Sequence, residues 1–231
     1  MPLNDKRPVR TFGRTGGRPL SARQQRLVDE RLPELSVPPG TGPIENPASL
    51  FGTPVEALWL EIGFGGGEHV AAHAKANPHA GLLASEVFVE GLAKCLSAIE
   101  AEGLTNVRLW DEDARALVER LPDACLDRVF ILFPDPWPKK KHHKRRIIQP
   151  DFLDALARVM KPDSRLRFAT DVRSYADEAL AKFLADGRFE WLANCADDWR
   201  TPPQNHFQTR YETKNLGDIK PVFYELVIHP Q

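Results

Sequence analysis

The chain has 231 residues, of which 42% are hydrophobic and 27% are charged, a composition typical of a globular protein with one sizeable core. No stretch approaches the roughly 18 to 20 apolar residues of a membrane span, and the first ten residues, MPLNDKRPVR, lack the apolar run of a signal peptide. Cys95, Cys125 and Cys195 lie far apart and form no C-x-x-C pattern, which argues against a disulfide framework or a zinc site. We therefore expect a cytoplasmic protein with reduced cysteines and no membrane partner.

Positive charge is concentrated in two short segments, although the whole chain carries a net charge of only −1. Residues 1–25 contain six basic residues and one acid, and residues 139–146, KKKHHKRR, contain six more bases and no acid. The rest of the chain holds 19 bases and 31 acids and therefore carries −12. This segregation indicates an acidic polymer as partner. The alternative is a solvated surface loop together with an unordered tail.

The predicted elements begin with a segment rich in Pro, Gly and Arg. Residues 1–50 contain one helix-like stretch, residues 21–35, followed by the linker-like sequence VPPGTGPIENP. From Leu58 onwards, short apolar runs alternate with helical periodicity, which is typical of βαβ units and a parallel sheet. We therefore predict a basic N-terminal arm and linker over residues 1–50 and an α/β domain over residues 51–231. The predicted strands are 58–62, 81–86, 106–110, 128–133, 165–170, 189–193 and 221–228, and the predicted helices are 69–76, 89–102, 114–120, 151–160 and 174–184, with Lys161-Pro162-Asp163 ending the fourth of these helices.

An acidic residue lies at the carboxyl end of each of the first five predicted strands. These residues are Glu61, Glu86, Asp111 or Asp113, Asp135 and Asp171. In an open parallel sheet, ligands bind beyond the carboxyl ends of the strands, so these side chains are candidate ligands. For Asp113 and Asp171, capping of the following helix explains the residue equally well. Glu61 and Glu86 precede their helices by several residues, which favours the ligand interpretation for them.

The first predicted strand is followed by a glycine-rich turn, Gly63-Phe64-Gly65-Gly66-Gly67-Glu68. Glycine allows a tight turn and a close approach of a ligand to backbone N–H groups at a helix N-terminus. The dinucleotide fingerprint G-x-G-x-x-G would need glycine where Glu68 stands, and a carboxylate there would repel a pyrophosphate. A cationic adenosyl ligand fits better, with Glu86 placed to accept hydrogen bonds from ribose hydroxyls. Together with Asp113-Ala114, the motif predicts S-adenosylmethionine as cofactor.

The fourth predicted strand ends in the sequence Phe133-Pro134-Asp135-Pro136-Trp137-Pro138-Lys139. Three prolines within five residues restrict the backbone, so Asp135 is held in a rigid turn. A stiff structural connection would explain the prolines, but it would not explain a carboxylate between them followed by an indole and six basic residues. Trp137 offers a face on which a base can stack, and the basic run offers phosphate contacts beside it.

These motifs together resemble those of one enzyme family. The segments LEIGFGGGEH, SEVFVEG, DEDARAL, FPDPWPKKKHHKRR, ATDVRSYA and TRYETK are similar to those of the bacterial tRNA (guanine-N7-)-methyltransferases. The resemblance runs from about Leu58 to Tyr224, and the N-terminal RTFGRTGGRPLSARQ also resembles the basic arm of the family. It implies a Rossmann-like class I methyltransferase fold, with a mostly parallel seven-stranded sheet and helices on both faces. The implied reaction transfers a methyl group from S-adenosyl-L-methionine to N7 of guanosine 46 in the tRNA variable loop.

The resemblance also implies roles for individual residues, with Asp135 as the catalytic residue. The implied cofactor-binding residues are Glu61, Gly63, Gly65, Glu86, Asp113, Ala114 and Asp135. The implied substrate-binding residues are Lys139, Asp171, Thr209, Arg210, Tyr211 and Glu212, and the implied RNA-contacting residues are Lys141, His142, His143, Lys144, Arg145 and Arg146. Asp111 is a second candidate for the adenine contact, but we favour Asp113 because Ala114 follows it.

Guanine N7 carries an in-plane lone pair and needs no deprotonation before it attacks a methyl sulfonium. We therefore expect Asp135 to position the base and to stabilise the positive charge that arrives on its ring. We also expect Asp171 and Glu212 to select guanine through its N1–H and N2 donors. The reacting base must be exposed from the tRNA core, which requires local unfolding or flipping of the RNA.

Other interpretations fit the sequence less well. A methyltransferase acting on an exocyclic amine would carry an Asn/Asp-Pro-Pro-aromatic turn after the fourth strand, and a small substrate would not need the basic run. A non-catalytic RNA-binding subunit would have no use for the acids at the strand ends. His69 and His73 lie four residues apart on a predicted helix but lack a third ligand, so we expect a solvated helical face and no metal. The sequence requires no protein partner and is compatible with a monomer or a homodimer.

Overall fold

A computed structural model describes residues 19–229 and shows one seven-stranded sheet. The strands are β1 (Ala57–Ile62), β2 (Ala80–Ser85), β3 (Val107–Trp110), β4 (Leu126–Leu132), β5 (Met160–Thr170), β6 (Phe189–Trp191) and β7 (Val222–Ile228). Their order across the sheet is β3-β2-β1-β4-β5-β7-β6. Strands β1 to β5 pair in parallel, whereas β7 runs antiparallel to both β5 and β6. The predicted mostly parallel seven-stranded sheet is confirmed.

Helices connect the strands and cover the sheet. The α-helices of the described residues are α1 (Ala22–Arg26), α2 (Leu32–Leu35), α3 (Glu68–Ala76), α4 (Val89–Glu102), α5 (Ala114–Arg120), α6 (Pro150–Val159), α7 (Arg173–Asp186), α8 (Asp197–Arg200) and α9 (Arg210–Lys214). A π-helical turn, Leu27–Arg31, joins α1 to α2, and 3₁₀ helices span Pro47–Leu50 and Lys140–Arg145. Helix α4 ends at Glu102 and is capped by Gly103, whose left-handed conformation (φ 62°) a residue with a Cβ adopts less readily. None of the helices within residues 19–229 combines the length and apolar character of a membrane span.

The core is divided between the two faces of the sheet. On one face, α5, α6 and α7 bury side chains such as Leu117, Leu156 and Phe183. On the other face, α3 and α4 bury Val70 and Leu96. Each such side chain contributes about 1.5 to 3 kcal/mol when it is fully buried. Helices therefore lie on both faces, as the sequence predicts.

The segment after α2 packs onto the domain, which corrects the prediction of a linker. Val37 and Ile44 are buried in the main core. The buried guanidinium of Arg120 donates to Pro38 O at 2.9 Å. The composition of the segment indicates turns, but it does not show which apolar side chains of the domain Val37 and Ile44 contact. Residues 1–18, which hold most of the predicted basic arm, lie outside the described residues.

The predicted stop after α6 is only partly correct. Helix α6 ends at Val159, but no loop follows it, because β5 begins at once with Met160. The sequence Lys161-Pro162-Asp163 therefore lies within β5. Asp163 has a left-handed backbone (φ 62°), and the pairing of β4 with β5 shifts register between Leu126 and Arg128. The irregular start of β5 thus accommodates residues that are typical of a turn.

Candidate functional site

A cavity of about 640 Å³ lies at the carboxyl edge of the sheet, where the strand order changes direction between β1 and β4. Its walls come from the glycine turn after β1, the end of β2, the start of α5, the loop after β4, and α9. All of the predicted cofactor-binding residues line it, namely Glu61, Gly63, Gly65, Glu86, Asp113, Ala114 and Asp135. Among the predicted substrate-binding residues, Thr209, Arg210 and Tyr211 line it. The fold thus brings together side chains that are far apart in the sequence.

The glycine turn has a backbone that requires glycine. Gly63, Gly65 and Gly67 have φ angles of 73°, 59° and 79°, in the left-handed region that a Cβ disfavours. Helix α4 supports the turn from behind, since a Cβ on Gly91 would lie 2.2 Å from Gly65 O. The turn is therefore held in one shape between β1 and α3.

Glu86 fixes the glycine turn through its carboxylate. Gly65 N donates to Oε2 at 2.8 Å, and Val87 N and Phe88 N donate to Oε1 at 2.8 and 3.0 Å. Burial raises the pKa of Glu86 above its ordinary value and the charge of Asp135 adds to this, while the three backbone donors offset part of the shift. Oε2 accepts only one of these bonds and keeps a lone pair for a ligand hydroxyl.

The loop after β4 holds Asp135 between two strained residues. Phe133 and Trp137 have φ angles of 51° and 44°, conformations that cost about 1 to 3 kcal/mol each in residues other than glycine and that concentrate at functional sites. Pro136 O accepts a hydrogen bond from Arg146 Nε at 2.8 Å, which anchors the loop. Asp135 is exposed as a residue, but partial desolvation of its carboxyl group raises its pKa. The loop therefore presents a fixed carboxyl group to the same cavity that the glycine turn lines.

Glu61 is paired with a buried histidine. His69 Nδ1 lies 2.7 Å from Glu61 Oε2, and the two side chains are 1% and 3% exposed. His73, one helical turn further along α3, is also buried. The prediction of a solvated helical face is therefore wrong, because Phe130 of β4 and Phe207 cover these imidazoles. Among residues 19–229, no group of three or more His, Cys, Asp or Glu side chains could hold a metal ion.

Asp113 caps α5 and also lines the cavity. Its Oδ1 accepts a hydrogen bond from Arg115 N at 2.9 Å, which confirms the capping interpretation. The Arg115 guanidinium pairs with both carboxylate oxygens at 2.9 and 2.8 Å. Asp111 is exposed and does not line the cavity. Of the two candidates for an adenine contact, Asp113 is therefore the better placed.

Glu212 and Asp171 are placed differently from the other predicted substrate residues. The Glu212 side chain is 5% exposed and accepts hydrogen bonds from His206 Nε2 at 2.8 and 3.0 Å and from Thr209 N at 2.7 Å. Burial raises the pKa of Glu212, but these bonds outweigh it and hold that pKa below its ordinary value. Asp171 is 3% exposed, lies 3.5 Å from the Tyr211 hydroxyl, and does not cap α7, which begins after Val172. Neither carboxylate lines the cavity, so the expected direct contact with guanine is not supported by this arrangement.

The basic run lies beside the cavity, and its members differ in exposure. Lys141 and Lys144 are exposed on the 3₁₀ helix, and Lys139 is exposed just before it. Arg145 lines the cavity, with its guanidinium carbon 5.0 Å from the centroid of the Trp137 ring. His142 and His143 are half-buried. Most of the run therefore forms a positive surface beside the loop that carries Asp135.

Arg146 is an exception that corrects the predicted RNA-contacting set. Its side chain is 0% exposed and donates to Pro136 O, to Ser174 O and Oγ, and to Glu178 Oε2, at distances of 2.6 to 3.0 Å. A guanidinium enclosed in this way has no face for a phosphate. The only hint in the sequence is that Ile147 and Ile148 follow it, which marks the point where the chain returns to the core.

Two contributions to the site were not predicted from the sequence. Phe133 was expected only as the end of a strand, but its ring packs on Tyr211 with the centroids 5.3 Å apart and the planes 33° from parallel. These two rings form an apolar wall of the cavity. His206 lies outside the recognised motifs, yet it holds Glu212. The first contact joins residues that are distant in the chain, and the second spans six residues across the loop before α9, so neither follows the period of a helix or a strand.

Comparison with known proteins first defines the class. A family model described as "Putative methyltransferase" matches residues 55–224. The fold is similar to that of a 16S rRNA methyltransferase, KamB, with a TM-score of 0.53 and 18% identity over 76% of this chain and 89% of that one. It is also similar to TrmN from Thermus thermophilus, with a TM-score of 0.51 and 19% identity over 75% of this chain and 44% of that one. The family model and the fold are those of a Rossmann-like methyltransferase.

Curated relatives then define the family. A tRNA (guanine-N(7)-)-methyltransferase of Hyphomonas neptunium is 58% identical over 95% of this chain and 100% of its own length. Proteins of the same name from Caulobacter vibrioides strain NA1000 and Rhodospirillum rubrum are 51% and 48% identical, each over 94% of this chain and over 94% and 86% of their own lengths. The chain belongs to the tRNA (guanine-N7-)-methyltransferase family.

Proposed function

We propose that this protein transfers a methyl group from S-adenosyl-L-methionine to N7 of guanosine 46 in the variable loop of tRNA. The observation that carries this proposal is the cavity between β1 and β4, which is lined by the glycine turn, Glu86, Asp135 and residues of α9. The chain shares 58% identity with a relative named for guanine-N7 methylation of tRNA. One wall of the cavity suits the cofactor and the other wall suits the base.

The residues of the cavity fit a positively charged adenosyl cofactor. Glu61, Glu86 and Asp135 all line the cavity, and the charge of Asp135 contributes to the raised pKa of Glu86. A cation between these carboxylates relieves their repulsion and favours their ionised forms. The lone pair left on Glu86 Oε2 suits a ribose hydroxyl, and Asp113 with Ala114 suits the adenine. When bound, S-adenosylmethionine supplies a methyl group that is activated by attachment to a positively charged sulfur.

The chain's own residues supply position and charge. The fixed Asp135 carboxylate accepts a hydrogen bond from the edge of the guanine and stabilises the positive charge that arrives on the ring. Phe133 and Tyr211 form an apolar wall against which the base lies, next to Arg210 at the rim. An aligned approach of this kind contributes about 7 kcal/mol or more when the geometry is tight. No general base is needed, because N7 carries a free lone pair.

The decisive experiment is methyl transfer from labelled S-adenosylmethionine to unmodified tRNA, followed by chemical cleavage at 7-methylguanosine. We expect cleavage at one guanosine of the variable loop. Transfer to another nucleotide, or no transfer by a protein that still binds the cofactor, would overturn the substrate assignment and leave the fold class intact.

Cofactor affinity is expected to fall as the pH is lowered. The pKa values of Glu86 and Asp135 are both raised, mainly because the two carboxyl groups are partly removed from solvent. Protonation removes the negative charge that attracts the sulfonium, so binding weakens as the pH drops through these raised values, above the ordinary carboxyl range. The stability of the ligand-free protein changes in the opposite direction, since a carboxyl group with a raised pKa favours the folded state at low pH.

Titration calorimetry with S-adenosylmethionine between pH 8 and pH 4 measures this effect. The Glu86→Gln variant should bind more weakly at high pH and show a flatter profile. A wild-type affinity that stays constant over the whole range would contradict the assignment of these carboxylates to the cofactor.

The exposed lysines of the basic run are proposed to contact RNA phosphates, together with the lysine and arginine side chains of residues 1–25. Replacing Lys141 and Lys144 by Gln should reduce the magnitude of the slope of log affinity for tRNA against log salt by roughly 1.4 to 1.8, since each lost phosphate contact means that about 0.7 to 0.9 fewer counterions are released on binding. Filter binding of tRNA at several salt concentrations measures the slope. Lys75→Gln with Lys220→Gln is the matched control, because both lysines are exposed and lie outside the basic run. Equal slopes for the two double variants would make the run an ordinary solvated loop.

A further inference from the structure

Three histidines lie close together beneath the segment that leads into α9. The rings of His69 and His73 are 4.3 Å apart between centroids, and those of His69 and His206 are 6.1 Å apart. Phe207 packs edge-on against His73 at 4.8 Å. We call His69, His73 and His206 the histidine layer. His69 is the last residue of the motif LEIGFGGGEH, but neither the residue roles implied by the resemblance nor the proposed mechanism gives the histidine layer a function.

Two members of the histidine layer hold a carboxylate, and each carboxylate belongs to a different side of the site. His69 Nδ1 is 2.7 Å from Glu61 Oε2, and Glu61 lines the cavity next to the glycine turn. His206 Nε2 is 2.8 Å from Glu212 Oε1, and Glu212 is the third residue of α9. An ionised carboxylate only accepts hydrogen bonds, so the imidazole nitrogen donates in each pair.

The pair on the substrate side fixes the position of α9. Glu212 and Thr209 form a reciprocal capping box, in which the Thr209 side chain accepts from Glu212 N and Glu212 accepts from Thr209 N. A five-residue helix is too short to be stable through its own hydrogen bonds. The segment before it is anchored by the buried Arg167, which donates to Asn205 Oδ1 at 2.7 Å. The bond from His206 then ties the capping box to this anchored segment, and the ring of His206 packs edge-on against Phe223 of β7 at 4.8 Å.

His73, the third member of the histidine layer, does not hold a carboxylate. Both ring nitrogens of His73 are buried without a hydrogen-bond partner among the described residues. Burial, helped by the neighbouring His69, Arg128 and Arg167, lowers the pKa of His73 to about 2, so its imidazole stays neutral. His73 therefore shares the burial and the aromatic contacts of the other two histidines but holds no part of the site.

We propose that His69 and His206 are positioning residues. His69 holds Glu61 for the cofactor, and His206 holds Glu212 and thereby α9. This inference rests on the proposed function, and it assigns Glu212 to holding α9 rather than to reading guanine. A carboxylate that is held by a rigid donor loses less freedom when it binds a ligand. Arg210 and Tyr211 belong to α9 and line the cavity, so their positions depend on α9 being held in place.

Three matched His→Phe substitutions test the proposal, because each keeps a planar aromatic ring, though a slightly larger one, and removes the ring nitrogens. His69→Phe should weaken S-adenosylmethionine binding by about tenfold or more, in line with the loss of one hydrogen bond to a charged group, and leave tRNA affinity within about twofold. His206→Phe should raise the KM for tRNA about tenfold and leave the affinity for S-adenosylmethionine, measured without RNA, unchanged. His73→Phe is the matched control and should change neither value.

Hydrogen exchange of the ligand-free protein gives a readout that does not depend on activity. The backbone N–H groups of Thr209 and Glu212 should exchange faster in His206→Phe and at the wild-type rate in His69→Phe and His73→Phe. The conservative variants His206→Gln and His69→Asn place an amide donor near the lost ring nitrogen and should restore most of each function, which also covers the case in which a Phe variant folds poorly. Equal effects of all three Phe variants, or a loss of both affinities in any one of them, would overturn the proposal.

These results remain distinguishable from a failure of the proposed function. If the wild-type protein methylates no tRNA, the exchange rates and the S-adenosylmethionine affinities still report whether His206 holds α9 and whether His69 holds Glu61. Faster exchange in His206→Phe alone would then support the positioning role of His206 independently of the substrate.

Discussion

Asp135→Asn should lower methyl transfer to tRNA by about 10²-fold to 10³-fold, the effect seen when one well-placed polar group is removed from a transition state. The substitution keeps the shape of the side chain, and the strained, proline-flanked loop keeps its place. What it removes is the negative charge opposite the positive charge that develops on the guanine ring. Because the glycine turn and Glu86 are intact, the affinity for S-adenosylmethionine should change only a few fold.

Single-turnover transfer and calorimetric binding on the same preparation separate these two effects. Asp111→Asn is the matched control, since Asp111 is exposed and does not line the cavity. The variant also carries an internal check, because Asp135 contributes to the raised pKa of Glu86. Without that like charge, the decline of cofactor affinity should move to lower pH. Equal losses of turnover and of cofactor affinity would make Asp135 a cofactor ligand only.

The position of the site could be predicted because it follows from the order of the strands. The apolar run in β4 has no polar alternation after Arg128, which is typical of a central strand buried on both faces. Once β1, β2 and β4 are parallel neighbours of one sheet, the acids at their ends must meet at one edge. Glu61, Glu86 and Asp135 all line the cavity for this reason.

The predictions that were wrong concern residues whose contacts are with residues remote in the sequence. Nothing in the periodicity of α3 shows that His69 and His73 face the sheet, because the cover is provided by Phe207 from near the other end of the chain. The buried Val37 in a Pro-rich segment is a similar case, since its backbone N–H donates to the carbonyl oxygen of Leu109 in β3. Local patterns predict the elements, whereas the pairing of side chains across elements requires the fold.

Arg146 shows the same limit within a single run of charge. Lys144 and Arg146 stand two residues apart in KKKHHKRR, yet Lys144 is exposed and Arg146 is fully buried. The difference comes from α7, where Ser174 and Glu178 accept hydrogen bonds from the Arg146 guanidinium. That guanidinium also donates to the carbonyl oxygen of Pro136, the residue that follows Asp135 in the chain. Arg146 therefore links α7 to the loop that carries Asp135.

Arg146→Met should destabilise the fold by about 3 kcal/mol, near the lower end of the range for breaking a buried ion pair. The lower end is expected because Glu178 keeps Lys182 Nζ at 2.5 Å and His143 Nδ1 at 3.2 Å. Pro136 O loses its donor, so methyl transfer should also fall. The slope of tRNA affinity against salt should stay at the wild-type value, since the lost charge meets no phosphate.

Lys144→Met removes the same charge two residues earlier and should show the opposite pattern. Its stability should change by no more than about 0.5 kcal/mol, as for an exposed side chain, and its salt slope should fall by roughly 0.7 to 0.9. Urea unfolding and salt-dependent tRNA binding of both variants test the contrast, and Arg146→Lys replaces Arg146→Met if the latter does not fold. If Arg146→Met were as stable as the wild type and had a reduced salt slope, its side chain would reach the RNA. The anchoring of the Asp135 loop by α7 would then be wrong.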